Sequence, residues 1–142
     1  MRHHTKDKGD LGVLKIQADL CQQGFMLAIP LTEHAPFDII AYKNGKFYRV
    51  QAKYRTLDNK GVVSVSLQNT WSDKYGVHKK AIPKDEIDVM AIYCPEVEQC
   101  FYFDPKKANR NKSLRITPSK NNQQEGVVLA SECRLMDNVI KE

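Results

Sequence analysis

The chain has 142 residues, of which 42% are hydrophobic and 27% charged, the composition of an ordinary globular protein. We expect a single domain over residues 1–142, which is long enough to fold without a disulfide or a metal. The net charge of +5 favours a polyanionic partner. There is no membrane-length apolar run and no signal-peptide core at the start, so we expect a cytoplasmic protein with no membrane partner.

Residues Lys8–Gln23 form the first predicted element, an amphipathic helix. Asp10 is a plausible N-cap, and Gly24 is a good stop after the last turn. At about 100° per residue, Val13 lies on the apolar arc. The rest of that arc is Ile16 and Leu20. Asp10 and Gln17 would lie on or near the packed face, an unusual place for polar side chains.

A β-hairpin is predicted next. Phe25–Leu31 reads as a short apolar strand, and Phe37–Tyr42 as a second strand that contains one Asp. The segment Lys43–Lys46 contains Asn-Gly, the strongest short hairpin signal. Phe47–Arg55 alternates with a period of two and is therefore predicted to pair with Phe37–Tyr42 as its antiparallel partner.

The second half of the chain adds further strands. Val62–Gln68 alternates with Ser64, Ser66 and Gln68 on one face, and the apolar run Ile87–Pro95 predicts a buried central strand. The segment CFYFDP would complete another hairpin, and residues 113–117 predict a short strand. Residues 127–140 are ambiguous between a strand and a closing helix. The fold class is therefore α/β or α+β, with a mixed sheet of roughly five strands.

Three polar residues converge at the end of the predicted hairpin. Across the Asn-Gly turn, residues near position 38 pair with residues near position 51. Gln51 and Lys53 lie on one face of their strand, so they can meet Asp38 at the end of the hairpin away from the turn. A carboxylate, an amide oxygen and an ammonium group would then share one site.

This grouping suits metal-assisted hydrolysis of a phosphodiester. Asp38 would bind a divalent cation, Mg²⁺ or Mn²⁺, through a hard oxygen, and Gln51 and the backbone carbonyl of Ala52 would add neutral oxygen ligands. The metal would polarise the phosphate and activate a water molecule. Lys53 would orient or deprotonate that water, or stabilise the developing negative charge.

The sequence resembles the core of PD-(D/E)xK nucleases in the stretch "APFDII…RVQAKYR". More narrowly, it resembles the branch in which Gln replaces the second acid, which includes a homing endonuclease of cyanobacterial group I introns. The segments "KGDLG", "GF…IPL" and "EIDVMAIYCPE…CFYF" are also similar to that branch. The resemblance covers residues 6–105, and residues 106–142 form a basic C-terminal extension.

The resemblance implies a restriction-endonuclease-like core, in which helices flank a central mixed β-sheet. It implies that Asp38, Gln51 and Lys53 are catalytic. Such nucleases usually carry a metal-binding Glu on the first helix, and Val13 occupies that position here. Asp10 and Gln17 lie one turn before and after Val13, and either could replace the missing ligand.

Double-stranded DNA is the expected partner. Residues 43–60 carry six basic side chains and one acid, and residues 106–120 carry six basic side chains and no acid, so both could line a phosphate-binding cleft. Ser64, Ser66 and Gln68, on one face of their strand, could read base edges in a major groove. The segment NTWSDKYGVHKK is a possible DNA-contacting loop. The candidate contact residues are Lys43, Lys46, Arg49, Arg55, Ser64, Ser66, Gln68, Lys74, Lys79, Lys80, Arg110, Lys112 and Arg115.

The function expected from these features is site-specific, divalent-metal-dependent cleavage of double-stranded DNA by a homing-type endonuclease. The resemblance implies a homo-oligomer, a dimer or a tetramer, that reads a pseudo-palindromic site. The alternatives are a DNA-binding protein with the nuclease fold but impaired or no cleavage, or a related resolvase or restriction nuclease. The four cysteines lack metal-ligand spacing and are expected to be reduced core thiols.

Overall fold

The computed structural model describes residues 5–117 and 128–140, and a five-stranded sheet forms its centre. The elements in chain order are α1 (Thr5–Gln22), β1 (Met26–Ala28), β2 (Ile39–Lys43), β3 (Lys46–Tyr54), β4 (Val62–Ser66), β5 (Gln68–Asp73), β6 (Gly76–Ala81), β7 (Val89–Cys94), β8 (Gln99–Phe103) and β9 (Asn111–Arg115). Short 3₁₀ helices occupy Lys84–Glu86, Pro105–Lys107, Ala130–Cys133 and Met136–Asn138.

Helix α1 covers one face of the sheet with a narrow stripe of its surface. Gly12, Ile16 and Leu20 are its buried residues, four positions apart, so they lie on one side of the helix. Gly24, with φ of +92°, follows the helix and confirms the predicted stop. The N-cap assignment of Asp10 is wrong, because the helix extends back to Thr5 and Asp10 is an exposed interior position.

The predicted hairpin is present and its turn is tight. Strands β2 and β3 pair antiparallel from Ile39↔Val50 to Lys43↔Lys46. Asn44 and Gly45 have φ values of 54° and 81°, the positive angles that a two-residue hairpin turn of this kind requires. The turn therefore sets the register that brings the start of β2 beside the second half of β3.

The central sheet is mixed, as the sequence predicts. Its strand order is β1-β2-β3-β7-β8, and β3 and β7 are the parallel pair. All six residues of β7 are buried, which confirms it as an interior strand. Strands β4, β5 and β6 all lie in the crossover between β3 and β7.

The face of the sheet opposite α1 is covered by a two-stranded sheet rather than by a second α-helix. Strands β4 and β9 pair antiparallel, and Val63, Val65 and Leu114 from them are buried against Met90 and Ile92 of β7. Each face of the central sheet therefore has its own apolar cluster. The predicted fold class, an α-helix with a mixed sheet, is confirmed. The difference is that the two-stranded sheet of β4 and β9, and not a second α-helix, covers the other face.

Three local predictions are corrected. The residues expected to form a DNA-contacting loop, 69–80, mostly form the β5–β6 hairpin. Ser64 and Ser66 belong to β4, but Gln68 begins β5, so the three do not share one strand. The closing segment is neither strand nor α-helix where it is described, because residues 128–140 carry two 3₁₀ helices.

The cysteines divide between the core and the surface. All four are free thiols; Cys94 and Cys100 are buried, Cys133 is half-buried and Cys21 is exposed. The prediction of core thiols is therefore wrong for Cys21, which lies near the end of α1 on its outer side. In residues 5–117 and 128–140, no helix is long and apolar enough to cross a membrane.

Candidate active site

Asp38 is held against β3 by two hydrogen bonds. Its backbone N–H donates to the carbonyl of Val50 at 2.9 Å, and its Oδ2 accepts from the backbone N–H of Ala52 at 2.8 Å. Since Ile39 pairs with Val50, Asp38 takes the next position along, opposite Gln51. The predicted proximity of residues 38 and 51 is therefore present in the structure.

Gln51 and Lys53 lie on the same face of β3, the face turned away from α1. Their partners in β7 are Met90 and Ile92, which belong to the apolar cluster beneath β4 and β9. The Oε1 atom of Gln51 is buried and has no hydrogen-bond partner among the residues that the structure describes. A buried polar atom left unpaired costs about 1–3 kcal/mol, so this oxygen indicates a ligand other than the residues that the structure describes.

The charge of Lys53 is destabilised by its surroundings. Burial lowers the pKa of Lys53 most, the neighbouring charge of Arg55 lowers it further, and the carboxylate of Asp38 raises it. Burial also lowers the pKa of Arg55, whose guanidinium donates to the carbonyl of Tyr54 at 2.8 Å. Lys53 therefore gives up its proton more easily than a solvated lysine does.

The residues at this site fit a hard divalent cation. The other oxygen of the Asp38 carboxylate receives no hydrogen bond within the described chain. In an antiparallel ladder, the N–H and C=O of one residue point to the same edge, so the Ala52 carbonyl is on the Asp38 side of β3. With Gln51 Oε1, these make three oxygen donors of the kind that Mg²⁺ prefers.

The donor set is poor in negative charge. Across residues 5–117 and 128–140, no three His, Cys, Asp or Glu side chains are grouped so that they could hold a metal. The three-oxygen set therefore pairs the Asp38 carboxylate with two neutral oxygens. Fewer anionic ligands give weaker cation binding, so a low affinity for metal is expected in the absence of substrate.

Helix α1 approaches β3 most closely at Gly12. A Cβ atom placed on Gly12 would lie 3.2 Å from Cβ of Tyr54, the residue after Lys53 in β3. The next helical residue, Val13, is half-buried and packs against the apolar cluster under α1. Asp10 is exposed and Gln17 is half-buried, and neither side chain makes a hydrogen bond within the described chain. The helix therefore meets β3 on the face opposite Gln51 and Lys53, and position 13 carries no acid.

An ion pair that the sequence did not indicate borders the site. Arg49 Nε and Nη2 donate to the two carboxylate oxygens of Asp88, each at 3.0 Å, and its backbone N–H donates to Oδ2 at 2.7 Å. This pairing lowers the pKa of Asp88 and raises the pKa of Arg49. Arg49 therefore ties β3 to the start of β7, and its guanidinium is already paired within the chain.

The basic residues predicted to line one cleft are spread over several places. Lys46 begins β3 seven positions before Lys53, which is about 23 Å along a strand. Lys43 Nζ donates to the carbonyl of Gln23 at 3.0 Å, and the same atom lies 3.8 Å from Oδ1 of Asp137. These two lysines therefore belong to the turn end of the hairpin, away from Asp38.

Several other DNA-contact candidates already have contacts within the chain. Ser64 Oγ bonds to Ser113 Oγ at 2.9 Å, and Arg115 donates to backbone carbonyls at 3.1 and 3.2 Å. Lys112 Nζ lies 6.0 Å from the centre of the Phe103 ring. The end of the basic segment, residues 118–120, falls outside the described residues. Lys74, Lys79, Lys80 and Arg110 are exposed, and Lys74 Nζ lies 5.1 Å from the centre of the Tyr75 ring.

The structure thus places Asp38 directly before β2 and beside Gln51 of β3, with Lys53 on the same face of β3 as Gln51. The model of the PD-(D/E)XK endonuclease family matches residues 3–136, and the chain therefore belongs to that family. Membership indicates a nuclease that acts on DNA.

A search of solved structures found similarity to a bacterial homing endonuclease, I-Ssp6803I. The TM-score is 0.72 and the identity 17%, with 85% of this chain and 84% of that chain covered. At this identity the similarity establishes a shared fold. No curated protein sequence matched the chain.

Proposed function

We propose that this protein is a divalent-metal-dependent endonuclease that cleaves double-stranded DNA at a specific site. The observation that carries the proposal is the buried Oε1 of Gln51, which has no hydrogen-bond partner among the described residues and lies on the strand to which Asp38 is bonded. An apolar or fully paired residue at that position would be more stable, so a ligand-binding role explains why the cost is retained.

The site would use its three oxygens to hold Mg²⁺ or Mn²⁺. Asp38 supplies the charged ligand, and Gln51 and the Ala52 carbonyl supply neutral ones. When bound, a divalent cation polarises a phosphate oxygen and lowers the pKa of a bound water molecule. The bond from the Ala52 N–H fixes one oxygen of Asp38, which leaves the other free to point at the ion.

Lys53 would act on the attacking water or on the phosphate. Its lowered pKa makes the neutral amine more accessible, so it can take a proton from water as a general base. In its charged form, the same group stabilises the negative charge that develops on the phosphate. Both roles require Lys53 beside Asp38, and both are lost in Lys53→Ala.

Cleavage of DNA with defined variants tests the proposal. A pool of plasmids with a randomised insert is incubated with protein and Mg²⁺, and then with Mn²⁺. We expect cutting by the unaltered protein and by Glu33→Gln, which removes an exposed carboxylate elsewhere. Asp38→Asn and Lys53→Ala should abolish cutting. Cleavage that survives in both variants would contradict the assignment of the site.

A DNA-binding protein that no longer cuts is the second candidate function. Val13 favours it, because a half-buried apolar side chain occupies the helical position where related nucleases have an acid. This candidate predicts DNA retention without cleavage under all metal conditions. A resolvase or restriction nuclease would instead cut branched DNA or a short site, which the substrate preference would reveal.

The homing function and the assembly state are also part of the proposal. A homo-oligomer, a dimer or a tetramer, would match the two-fold symmetry of a pseudo-palindromic site. Met26 in the edge strand β1 and Phe47 near the turn end of β3 are 69% and 67% exposed, and both would be covered more favourably in an assembly. Light scattering measures the mass directly. Location of the gene within a group I intron would support homing by a cytoplasmic enzyme.

A further inference from the structure

The β5–β6 hairpin is a two-stranded ribbon that contributes nothing to the core. Its strands pair at six positions, from Gln68↔Ala81 to Asp73↔Gly76, and none of the paired residues is buried. Six residues span about 20 Å, and a ribbon of two strands fits the width of a DNA major groove. The hairpin therefore has the dimensions of a groove-reading element.

The two faces of the ribbon differ in chemistry. The pairing register gives a Thr70 face, made of Gln68, Thr70, Ser72, Val77, Lys79 and Ala81. It also gives a Trp71 face, made of Asn69, Trp71, Asp73, Gly76, His78 and Lys80. Adjacent lysines thus lie on opposite faces, Lys79 on the first and Lys80 on the second.

The Trp71 face is occupied by contacts among its own side chains. The rings of Trp71 and His78 stack with their centres 5.3 Å apart and an angle of 22° between the planes. His78 Nε2 lies 2.9 Å from Oδ1 of Asp73, which also accepts from the Tyr75 N–H. Asp73 is the acid of the hairpin, and a carboxylate on this face disfavours close approach to phosphates.

The Thr70 face is free of such contacts and of acids. The side chains of Thr70, Ser72 and Lys79 make no hydrogen bond or ion pair with any other described residue. Hydroxyl groups and an ammonium group can bond to base edges, and Val77, 67% exposed, offers methyl groups for contact with thymine. This face therefore carries the groups that read a base sequence.

A basic concavity continues the Thr70 face at the root of the hairpin. It has a volume of about 740 Å³ and is lined by Gln68 and Ala81 of that face and by Lys84, Asn109, Arg110 and Asn111. Lys84 Nζ is fixed there by the carbonyls of Ala108, at 2.6 Å, and Asn109, at 2.9 Å. Two cations beside a polar face provide anchoring points for the DNA backbone.

We propose that the β5–β6 hairpin enters the major groove with its Thr70 face towards the base edges, while the concavity at its root receives the flanking phosphates. The proposal rests on the proposed function only in taking duplex DNA as the ligand. It assigns sequence reading to Thr70, Ser72 and Lys79, and positioning on the backbone to Arg110.

Lys79 and Lys80 provide a matched test, since the two substitutions remove the same charge from opposite faces of one strand. The full-length protein is offered a pool of random-sequence duplexes in Ca²⁺, and the retained duplexes are sequenced. Lys79→Ala and Thr70→Ala should weaken the preference at one or two base pairs by about tenfold or more. Lys80→Ala and Asn69→Ala should leave the preferred sequence unchanged, and Arg110→Ala should weaken binding to all sequences alike.

The opposite pattern overturns the proposal. That pattern is a selected base sequence that stays unchanged in Lys79→Ala and Thr70→Ala. A Lys80→Ala variant whose selected sequence changes as much as that of Lys79→Ala would also contradict the proposal. Unaltered protein that selects no sequence overturns it too. Thermal unfolding of each variant shows whether the exposed ribbon is intact. Cleavage is measured separately. If Asp38→Asn still cuts DNA, while variants of the Thr70 face change the selected sequence and variants of the Trp71 face do not, the proposed catalytic site fails and this inference stands.

Discussion

Lys53 lies in β3 and Arg55 lies directly after the strand ends, and the charge of Arg55 adds to burial in lowering the pKa of Lys53. The folded chain therefore binds the Lys53 proton less tightly than the unfolded chain does. Between the folded pKa and the unfolded value of about 10.4, stability rises with pH, because the unfolded state holds more protons. Below the folded pKa, the full cost of burying the charge is present.

The first prediction is that Lys53→Met abolishes cleavage and stabilises the fold. The gain at neutral pH is on the order of 1 kcal/mol and should shrink as the pH rises through the lowered folded pKa of Lys53, because the unaltered lysine then loses its charge. Thermal unfolding as a function of pH measures it. Lys80→Met, at an exposed lysine, is the control and should show no such gain. A less stable Lys53→Met at neutral pH would contradict the assigned burial.

The second prediction concerns the unpaired oxygen of Gln51. Gln51→Glu places a second carboxylate beside Asp38, so Mn²⁺ should bind about tenfold more tightly to the protein without DNA. Isothermal titration measures this affinity, with Gln22→Glu at an exposed helical position as the control. If Gln51→Glu leaves the affinity unchanged, Gln51 does not face the cation.

The third prediction concerns Val13. Val13→Glu introduces an acid next to Gly12, where α1 approaches β3, and should raise both Mn²⁺ affinity and cleavage. It should also lower stability by about 1–2 kcal/mol, since Val13 packs against an apolar cluster. Leu14→Glu is the matched control, because Leu14 is 61% exposed on another side of the same helix. Equal metal affinities in the two variants would show that position 13 does not reach the site.

The fourth prediction concerns the Arg49–Asp88 pair. Asp88→Asn should destabilise the protein by about 1 kcal/mol at pH 7, a modest loss because both side chains are about one-third exposed. Arg49 lowers the folded pKa of Asp88, so the contribution is present above the unfolded value of about 3.9 and is lost as the pH falls through the folded pKa. Urea unfolding at pH 7 and at acid pH measures the difference. Asp85→Asn, at an exposed neighbour, is the control. Its stability relative to the unaltered protein should not change between pH 7 and acid pH.

The relative placement of Asp38, Gln51 and Lys53 could be predicted from the sequence because its parts are local. Strands alternate with a period of two, and a two-residue Asn-Gly turn leaves no freedom of register. Those two constraints place Asp38 opposite Gln51 and put Lys53 on the same face as Gln51. The helix stop at Gly24 and the buried run of β7 were predicted for similar local reasons.

What could not be predicted depends on long-range pairing. Arg49 and Asp88 meet only because β3 and β7 pair in parallel across a crossover, and no local pattern signals such a contact. The β5–β6 hairpin resembled a loop because its residues are polar on both faces, so it has no apolar alternation to mark a strand. The same lack of a buried face makes it available as a ribbon.

The bond from Ala52 to Asp38 has a consequence for recognising distant relatives of this chain. The donor is a backbone amide, so the side chain at position 52 takes no part in holding the carboxylate. Evolution can therefore replace Ala52 by any residue that suits the helix-facing cluster, except proline, which has no amide hydrogen. A search for related enzymes should leave the position between the Gln and the Lys unspecified and penalise only proline there.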